Sequence, residues 1–360
     1  MLSLILRELP VLSLRTRSRP HTVLSSRAQR GICFFLLLGV LLVPTAFRGH
    51  VSAVESEPHR PRILGIVSVR VLARDLRASR DFYSKVLTED HPCIWCGQVQ
   101  ENTFSVNYLQ YVQLVPSPSA PPSNRIDQII FETDNVPALW SYLTSQGVGT
   151  VVPTLDESPF APEILQAPKH PEAQKTAKVK KETVVPQVYF YALDPEGHRI
   201  GFRQLPAEVH KTRGDADKMH LIHAGFTVKD RAIEDHFYKD ILGFHLYWHG
   251  GMKDDKDDWV DMQVPDGTDW IEFMLNIPPD ADKHLLGIMN HFAIGVSDVA
   301  QSAFAVRRNG LSYPDGPKIG RDGKWQLNLY DPDDTRVEFM EFTPVQKPCC
   351  SEFTGPHPKP

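Results

Sequence analysis

The sequence lacks an excess of positive charge, which limits the partners it can have. Its formal net charge is −5 over 360 residues. Residues 1–53 contain seven Arg and one Glu, a local charge of +6, which leaves about −11 on the rest of the chain. Because nucleic-acid binding depends on clustered Lys and Arg, an acidic body of this kind argues against nucleic acid as the main partner.

The sequence also lacks an apolar stretch as long as a membrane span. Residues 32–47 form an apolar run, but a transmembrane helix needs about 20 residues. Two arginines precede this run and the small residues 51–53 follow it, as in a secretory signal peptide. We therefore expect residues 1–53 to be a signal peptide, with residues 1–26 an overextended start, and the protein to be exported to the periplasm or secreted. Membrane contact is expected only through this segment, which stays as an anchor if it is not cleaved.

Cysteine is scarce, with five residues in the chain. Cys33 lies in the expected signal peptide. Cys93 and Cys96 have the spacing of a redox motif but no thioredoxin-like setting, so we expect a local disulfide or two unreactive thiols. Cys349 and Cys350 lie in a Pro-rich tail. The cysteines therefore carry no functional prediction.

Two stretches of the sequence repeat one pattern. The strand-like stretch 221–228 contains His223, and a second such stretch begins at His291. In both, an Asp follows the His by seven residues and opens a helical segment. Each repeat then reaches a strand with a glutamate, Glu272 in the first and Glu338 in the second, 49 and 47 residues after the His. Two nearly equal repeats of this kind indicate a metal site built by duplication.

A unit of strand, helix and further strands occurs four times along the chain. An Asp follows the first strand of each unit and is expected to cap its helix; these residues are Asp75, Asp134, Asp230 and Asp298. A Phe-Tyr pair recurs in the first and third helices, and an Asp-Pro pair recurs in the second and fourth units. One such unit cannot close a core alone, so the units are expected to pair.

With these repeats the chain resembles the vicinal oxygen chelate superfamily, which includes glyoxalase I, bleomycin-resistance proteins, fosfomycin-resistance enzymes, methylmalonyl-CoA epimerase and extradiol dioxygenases. The resemblance implies an α+β fold in which four βαβββ modules pair into two open barrels. It also implies one divalent metal ion, held by residues on the first and last strands of each module. Carried over to this sequence, the metal ligands are His223, Glu272, His291 and Glu338.

The resemblance covers about residues 63–343 and, together with composition, divides the chain. We expect an N-terminal domain over 63–207 and a C-terminal domain over 219–343 that bears the metal. The remaining segments are a Lys- and Pro-rich insertion at 160–186, a linker at 208–218 and a disordered tail at 344–360.

Alternation along the last strands of the C-terminal half places two side chains on the same face as each glutamate. These expected substrate-binding residues are Trp270, Met274, Arg336 and Met340. They predict an apolar small-molecule pocket with one cation. Arg336 fits a substrate clamp and a salt-bridge partner equally well.

Two imidazoles and two carboxylates without a thiolate suit Zn, Ni, Co, Mn or Fe(II), and do not choose among them. A glutamate that leaves the metal when substrate binds becomes a general base, so Glu272 and Glu338 are both candidate catalytic residues. The competing interpretation is a hydrogen-bonded polar core without metal. Four ligand types at matched positions favour the metal.

The N-terminal half lacks these ligand types. Counting back seven residues from its capping aspartates gives Ser68 and Asp127 in place of the histidines, and Gln113 and Gly201 occupy the glutamate positions. We therefore expect this half to have lost its metal and to serve a structural or gating role.

The complete ligand set favours a metal-dependent lyase or isomerase of glyoxalase type, acting on a small oxygen-chelating substrate. An extradiol-type ring-cleaving dioxygenase with Fe(II) is the alternative, since those enzymes also combine a metal-free N-terminal half with a metal-bearing C-terminal half. Against it, residues 325–332 lack the His and the Tyr spacing of that family. A non-catalytic small-molecule binder is the third reading. The two halves are expected to close within one chain or across a homodimer.

Overall fold

The computed structural model describes residues 59–87, 101–117, 124–153, 188–206 and 219–360. The expected signal peptide, the pair Cys93 and Cys96, the insertion and the linker lie outside these residues. No helix within the described ranges is long and apolar enough to cross a membrane.

The N-terminal part forms a seven-stranded sheet with two helices. Its elements are β1 (Ile63–Ala73), α1 (Leu76–Val86), β2 (Thr103–Ser105), β3 (Tyr111–Pro116), β4 (Ile126–Thr133), α2 (Val136–Ser145), β5 (Thr150–Val151), β6 (Tyr189–Leu193) and β7 (Arg199–Arg203).

The C-terminal part forms an eight-stranded sheet. Its elements are β8 (Met219–Thr227), α3 (Arg231–Asp235) continued by a π-helical turn (His236–Ile241), β9 (His245–Gly250), β10 (Trp259–Gln263), β11 (Trp270–Met274), α4 (Lys283–Met289), β12 (His291–Val296), α5 (Val299–Arg308), β13 (Lys318–Ile319), β14 (Trp325–Tyr330) and β15 (Arg336–Glu341). The short helix α4, between the two modules of this sheet, was not predicted.

Both sheets are built in the same way. The strand orders are β2-β3-β1-β4-β7-β6-β5 and β13-β14-β15-β12-β8-β11-β10-β9. In each module the first strand pairs in parallel with the last, and the two first strands, β1 with β4 and β8 with β12, pair antiparallel at the centre. This arrangement confirms the predicted α+β class with paired modules in two curled sheets.

Three of the four expected helix caps are present. The carboxylates of Asp75, Asp230 and Asp298 accept hydrogen bonds from amides of the first helical turn. The prediction for Asp134 is wrong, because Asn135 caps α2 by accepting from the Ala138 amide, while Asp134 accepts from the Arg62 amide. The second module is therefore shifted by one residue relative to the count from sequence.

The two sheets share one hydrophobic cluster, and two matching hydrogen bonds cross between them. Tyr83 on α1 donates to Asp331, in the turn before β15, at 3.1 Å. Tyr238 on the π-helical turn donates to Asp194, in the turn before β7, at 3.0 Å. The repeated Phe-Tyr and Asp-Pro pairs of the sequence thus meet across the junction of the two sheets.

The expectation of a disordered tail at 344–360 is wrong. Phe353 packs on Tyr247 with ring centroids 4.8 Å apart, and the Trp248 indole donates to the carbonyl of Cys349 at 3.3 Å. Cys349 is disulfide-bonded to the next residue. The Pro-rich composition signalled the lack of regular secondary structure, but side chains of the tail still pack against the C-terminal sheet.

Candidate metal centre

The two histidines come from the central strand pair of the C-terminal sheet. The antiparallel register of β8 and β12 places His223 opposite Ala293 and His291 opposite Gly225. Each imidazole therefore lies beside a small residue of the neighbouring strand. A Cβ atom at Gly225 would lie 2.0 Å from Cε1 of His291, so glycine is required for this ring position.

The two glutamates come from the strands that flank the central pair. Glu272 on β11 is in register with Gly225, and Glu338 on β15 is in register with Ala293. Four adjacent strands thus contribute one ligand-type side chain each, in two pairs related by the internal duplication.

All four side chains meet within the curved sheet. Nε2 of His291 lies 3.1 Å from Nε2 of His223 and 2.6 Å from Oε2 of Glu272. Nε2 of His223 lies 3.6 Å from Oε2 of Glu272 and 3.8 Å from Oε2 of Glu338. Of the four, His223, His291 and Glu338 offer ligand atoms that all lie within 4.8 Å of one another.

The histidines have the chemistry of metal ligands. Burial lowers the pKa of His223 well below its ordinary value, and burial together with Arg336 lowers that of His291. Both rings are therefore neutral near pH 7, the state that ligates a metal. Nδ1 of His291 lies 3.5 Å from the Met289 carbonyl, a partner that favours a free lone pair on Nε2. Two Nε2 atoms that face one another between buried carboxylates fit a divalent cation, which would take a lone pair from each.

The two glutamates differ in proton affinity. Burial raises the pKa of Glu338 to about 8, although Arg336 opposes this shift. Burial acts in the same direction on Glu272, but the neighbouring His291 and Arg336 outweigh it and lower the pKa of that carboxyl. Glu272 is therefore the stronger acid of the pair.

A cavity of about 330 Å³ opens beside this cluster and is lined by His223, Glu272 and Glu338 among others. Three of the four expected substrate-binding residues line it, namely Trp270, Arg336 and Met340. Met274 is not among its lining residues and is buried two positions beyond Glu272. The guanidinium of Arg336 lies 3.9 Å from Oε2 of Glu272, close enough to act on that carboxylate and on a ligand in the cavity.

Comparison with known proteins identifies the family of this part of the chain. Residues 207–339, which contain all four ligand-type side chains, match the model of the Glyoxalase/Bleomycin resistance protein/Dioxygenase superfamily. The C-terminal part of the chain belongs to this superfamily. No curated protein sequence matches the chain.

The fold of the superfamily extends over most of the described chain. The halotolerant catechol dioxygenase BphC is similar at a TM-score of 0.52 and 14% identity, covering 83% of this chain and 95% of that one. A catechol 2,3-dioxygenase is similar at a TM-score of 0.52 and 13% identity, covering 83% and 96%. At these identities the likeness shows the fold, with both sheets included.

The N-terminal sheet has the superfamily fold without its ligand types. The register of β1 with β4 pairs Arg70 with Gln128, as Gly225 pairs with His291. Gln128 therefore holds the position predicted for Asp127, because the cap of α2 is shifted by one residue. Asp127 instead pairs with Arg70 at 3.3 Å. Neither Gln128 nor the other three equivalents, Ser68, Gln113 and Gly201, supplies an imidazole or a carboxylate.

Sequence reasoning missed three ionisable residues beside this cluster. Asp261 on β10 is in register with Glu272, and burial raises its pKa well above the ordinary value. Burial also raises the pKa of Asp322 to about 6 and lowers that of Lys324. The Lys324 ammonium lies 4.7 Å from the centroid of the Trp270 ring, which itself lies 4.7 Å from the His223 ring. Asp261 could have been noticed as a single Asp inside an apolar strand. Lys324 follows a turn, where a lysine is usually exposed, so the sequence gave no sign of its burial.

Replacing Gly225 with alanine is expected to weaken metal binding about 10- to 100-fold, the usual effect of disturbing the orientation of a ligand. The added methyl group would displace the His291 ring. Competition titration with a chelator measures the affinity. Gly316→Ala is the control, since a Cβ there meets open space. Equal affinities for the two variants would contradict the assigned role of the His291 ring.

Proposed function

We propose that this chain is a divalent-metal-dependent enzyme whose small substrate presents two adjacent oxygen atoms, and that it catalyses a proton transfer of the glyoxalase lyase or isomerase type. The observation that carries this proposal is the position of Glu272. Its carboxylate touches His291 at 2.6 Å, retains 13% exposure and faces the cavity. It is a ligand-type carboxylate with access to substrate.

His223, His291 and Glu338 would hold the metal, with Glu272 as a further ligand before substrate binds. A divalent ion bound there would supply Lewis acidity toward a carbonyl oxygen of the substrate. The side chains around it determine which proton moves and where the substrate lies.

Glu272 is suited to accept a proton from the carbon next to a substrate carbonyl. Its lowered pKa keeps it ionised near pH 7, and one carboxylate can carry a proton between two adjacent carbons. Arg336, on the same side of the cavity, can bind an anionic group of the substrate. Trp270 and Met340 provide an apolar wall that excludes water from the reacting carbon.

A ring-cleaving dioxygenase with Fe(II) is the second candidate, and one observation favours it. His223, His291 and Glu338 bring two imidazoles and one carboxylate within 4.8 Å of one another, the facial set of non-haem iron oxygenases. Catechols also present two adjacent oxygens. The strand β14 contributes Gln326 and Asn328 to the cavity wall and contains no histidine. A dioxygenase here would need Glu272 as its acid-base group.

Metal analysis with two activity assays separates the candidates. We expect the purified protein, loaded in turn with Zn²⁺, Ni²⁺, Co²⁺, Mn²⁺ and Fe²⁺, to isomerise or cleave adducts of 2-oxoaldehydes with thiols, and to consume no oxygen with catechols. Protein stripped by a chelator is the control. Oxygen uptake and ring cleavage with Fe²⁺ alone would overturn the first proposal in favour of the second. Tight metal binding with turnover in neither assay would favour a non-catalytic binder.

A further inference from the structure

A second cluster of ligand-type side chains lies at the junction of the two sheets. Asp194 and Glu234 are buried, the His198 side chain is 11% exposed, and each of the three offers a ligand atom within 4.8 Å of the other two. Nδ1 of His198 lies 2.7 Å from Oδ2 of Asp194. The His198 ring packs on Phe226 of β8, which alternation places on the opposite face of that strand from His223. The cluster is therefore separate from the candidate metal centre.

The duplication provides an internal comparison for this cluster. Asp194 accepts from the amide of His198, four residues on, at 2.7 Å. At the other junction Asp331 accepts from the amide of Thr335, also four residues on, at 2.9 Å. Both aspartates accept a tyrosine hydroxyl from a helix of the other sheet. The two junctions thus share one backbone and hydrogen-bond plan.

Their side chains differ at two matched positions. The position four residues before the tyrosine is Glu234 at one junction and Ser79 at the other. The position four residues after the aspartate is His198 at one and Thr335 at the other. The junction with Ser79 and Thr335 forms the same hydrogen bonds with hydroxyl side chains at these positions. The fold therefore does not require the carboxylate of Glu234 or the imidazole of His198.

Glu234 is oriented as a ligand. Its Oε1 accepts from the Glu196 amide at 2.9 Å, which fixes the carboxylate. Its Oε2 is buried and accepts no hydrogen bond, and the residue is 0% exposed. Within the described parts of the chain no Lys or Arg forms an ion pair with Glu234 or Asp194. A buried carboxylate pair beside one imidazole needs either a shared proton or a bound cation, and burial together with Asp194 raises the pKa of Glu234 to about 8.

We propose that Asp194, His198 and Glu234 form a second metal site, which takes a divalent transition ion of the Zn²⁺ class and ties the two sheets together. One imidazole and two carboxylates are ligands that Zn²⁺ accepts at about 2.0–2.2 Å. Binding of the ion would replace the hydrogen bond between Nδ1 of His198 and Oδ2 of Asp194, because both atoms would then bind the ion. A cavity of about 720 Å³ borders His198, one of the three proposed ligands.

Metal counting on the full chain tests this inference independently of the catalytic proposal. The variant His223→Ala/His291→Ala removes the first site. We expect it to retain one equivalent of Zn²⁺, and to give the visible spectrum of protein-bound Co²⁺ when that ion is supplied. Adding Glu234→Gln is expected to lower the affinity for this remaining ion about 100-fold or more, since each ligand contributes a large share of the binding free energy. Ser79→Ala, at the matched position of the other junction, is the control and is expected to leave it unchanged.

The same experiment distinguishes a metal site from a carboxylate pair that shares a proton. Glutamine resembles a protonated glutamate in shape, so Glu234→Gln removes the metal ligand and preserves the packing. If Glu234 and Asp194 only share a proton, the His223→Ala/His291→Ala variant binds neither Zn²⁺ nor Co²⁺. That result overturns the inference, as does a remaining equivalent that Glu234→Gln leaves unaffected. Circular dichroism of each variant confirms that loss of metal does not follow from loss of fold.

Discussion

Replacing His291 with alanine is expected to remove one equivalent of metal from the protein and to abolish the activity that depends on it. His291 Nε2 lies within 3.1 Å of both His223 Nε2 and Glu272 Oε2. Binding free energies of about 10–16 kcal/mol for structural zinc sites with four ligands give about 3 kcal/mol for each ligand. Loss of one imidazole therefore weakens binding by about 100-fold, and elemental analysis of purified protein measures it.

His249→Ala is the matched control for this experiment. His249 is half-buried, its Nδ1 lies 2.7 Å from Oδ1 of Asp257, and it is not among the residues that line the cavity. Its replacement is expected to leave both metal content and turnover at the wild-type level. Full metal content in His291→Ala would show that the observed cluster is a polar core with no ligand role.

Replacing Glu272 with glutamine is expected to lower kcat about 10²- to 10⁴-fold while the metal stays bound. The remaining residues His223, His291 and Glu338 still offer three ligand atoms that lie within 4.8 Å of one another. Glutamine keeps the shape of the side chain and cannot accept the substrate proton. Steady-state kinetics together with metal content test this expectation, since a base affects kcat more than binding.

Glu341→Gln is the control for Glu272→Gln. Glu341 also lies on the last strand of a module, but its carboxylate accepts from the Val299 amide at the start of α5. Its replacement is expected to leave kcat unchanged. If Glu272→Gln instead loses the metal, Glu272 is a permanent ligand and the base must be another group.

The positions of the four ligand-type residues could be read from the sequence because a duplication repeats them. The interval from His223 to Glu272 nearly equals that from His291 to Glu338, and parallel pairing of first and last strands turns this interval into proximity. The assignment of Asp127 was wrong because it was counted from Asp134, which is not the cap of α2. The cap is Asn135, one residue later, so the count back from it gives Gln128 as the residue equivalent to His291.

Other parts of the site could not be predicted, because they depend on contacts between distant segments. Lys324 follows a turn in the sequence, yet it is fully buried among the rings of Tyr247, Trp270 and Phe353. Phe353 belongs to a tail whose prolines indicated disorder. Local composition reports helix and strand content, but it does not report which surface an irregular segment covers.

The crossed bonds Tyr83–Asp331 and Tyr238–Asp194 have a consequence for the half of the chain without ligands. Each half donates one tyrosine hydroxyl to an aspartate of the other half and accepts one in return. A gene shortened to encode the C-terminal sheet alone would leave Asp331 without its donor, Tyr238 without its acceptor and a wide apolar face open to water. The half without the His and Glu set is therefore needed to keep the half that carries it folded.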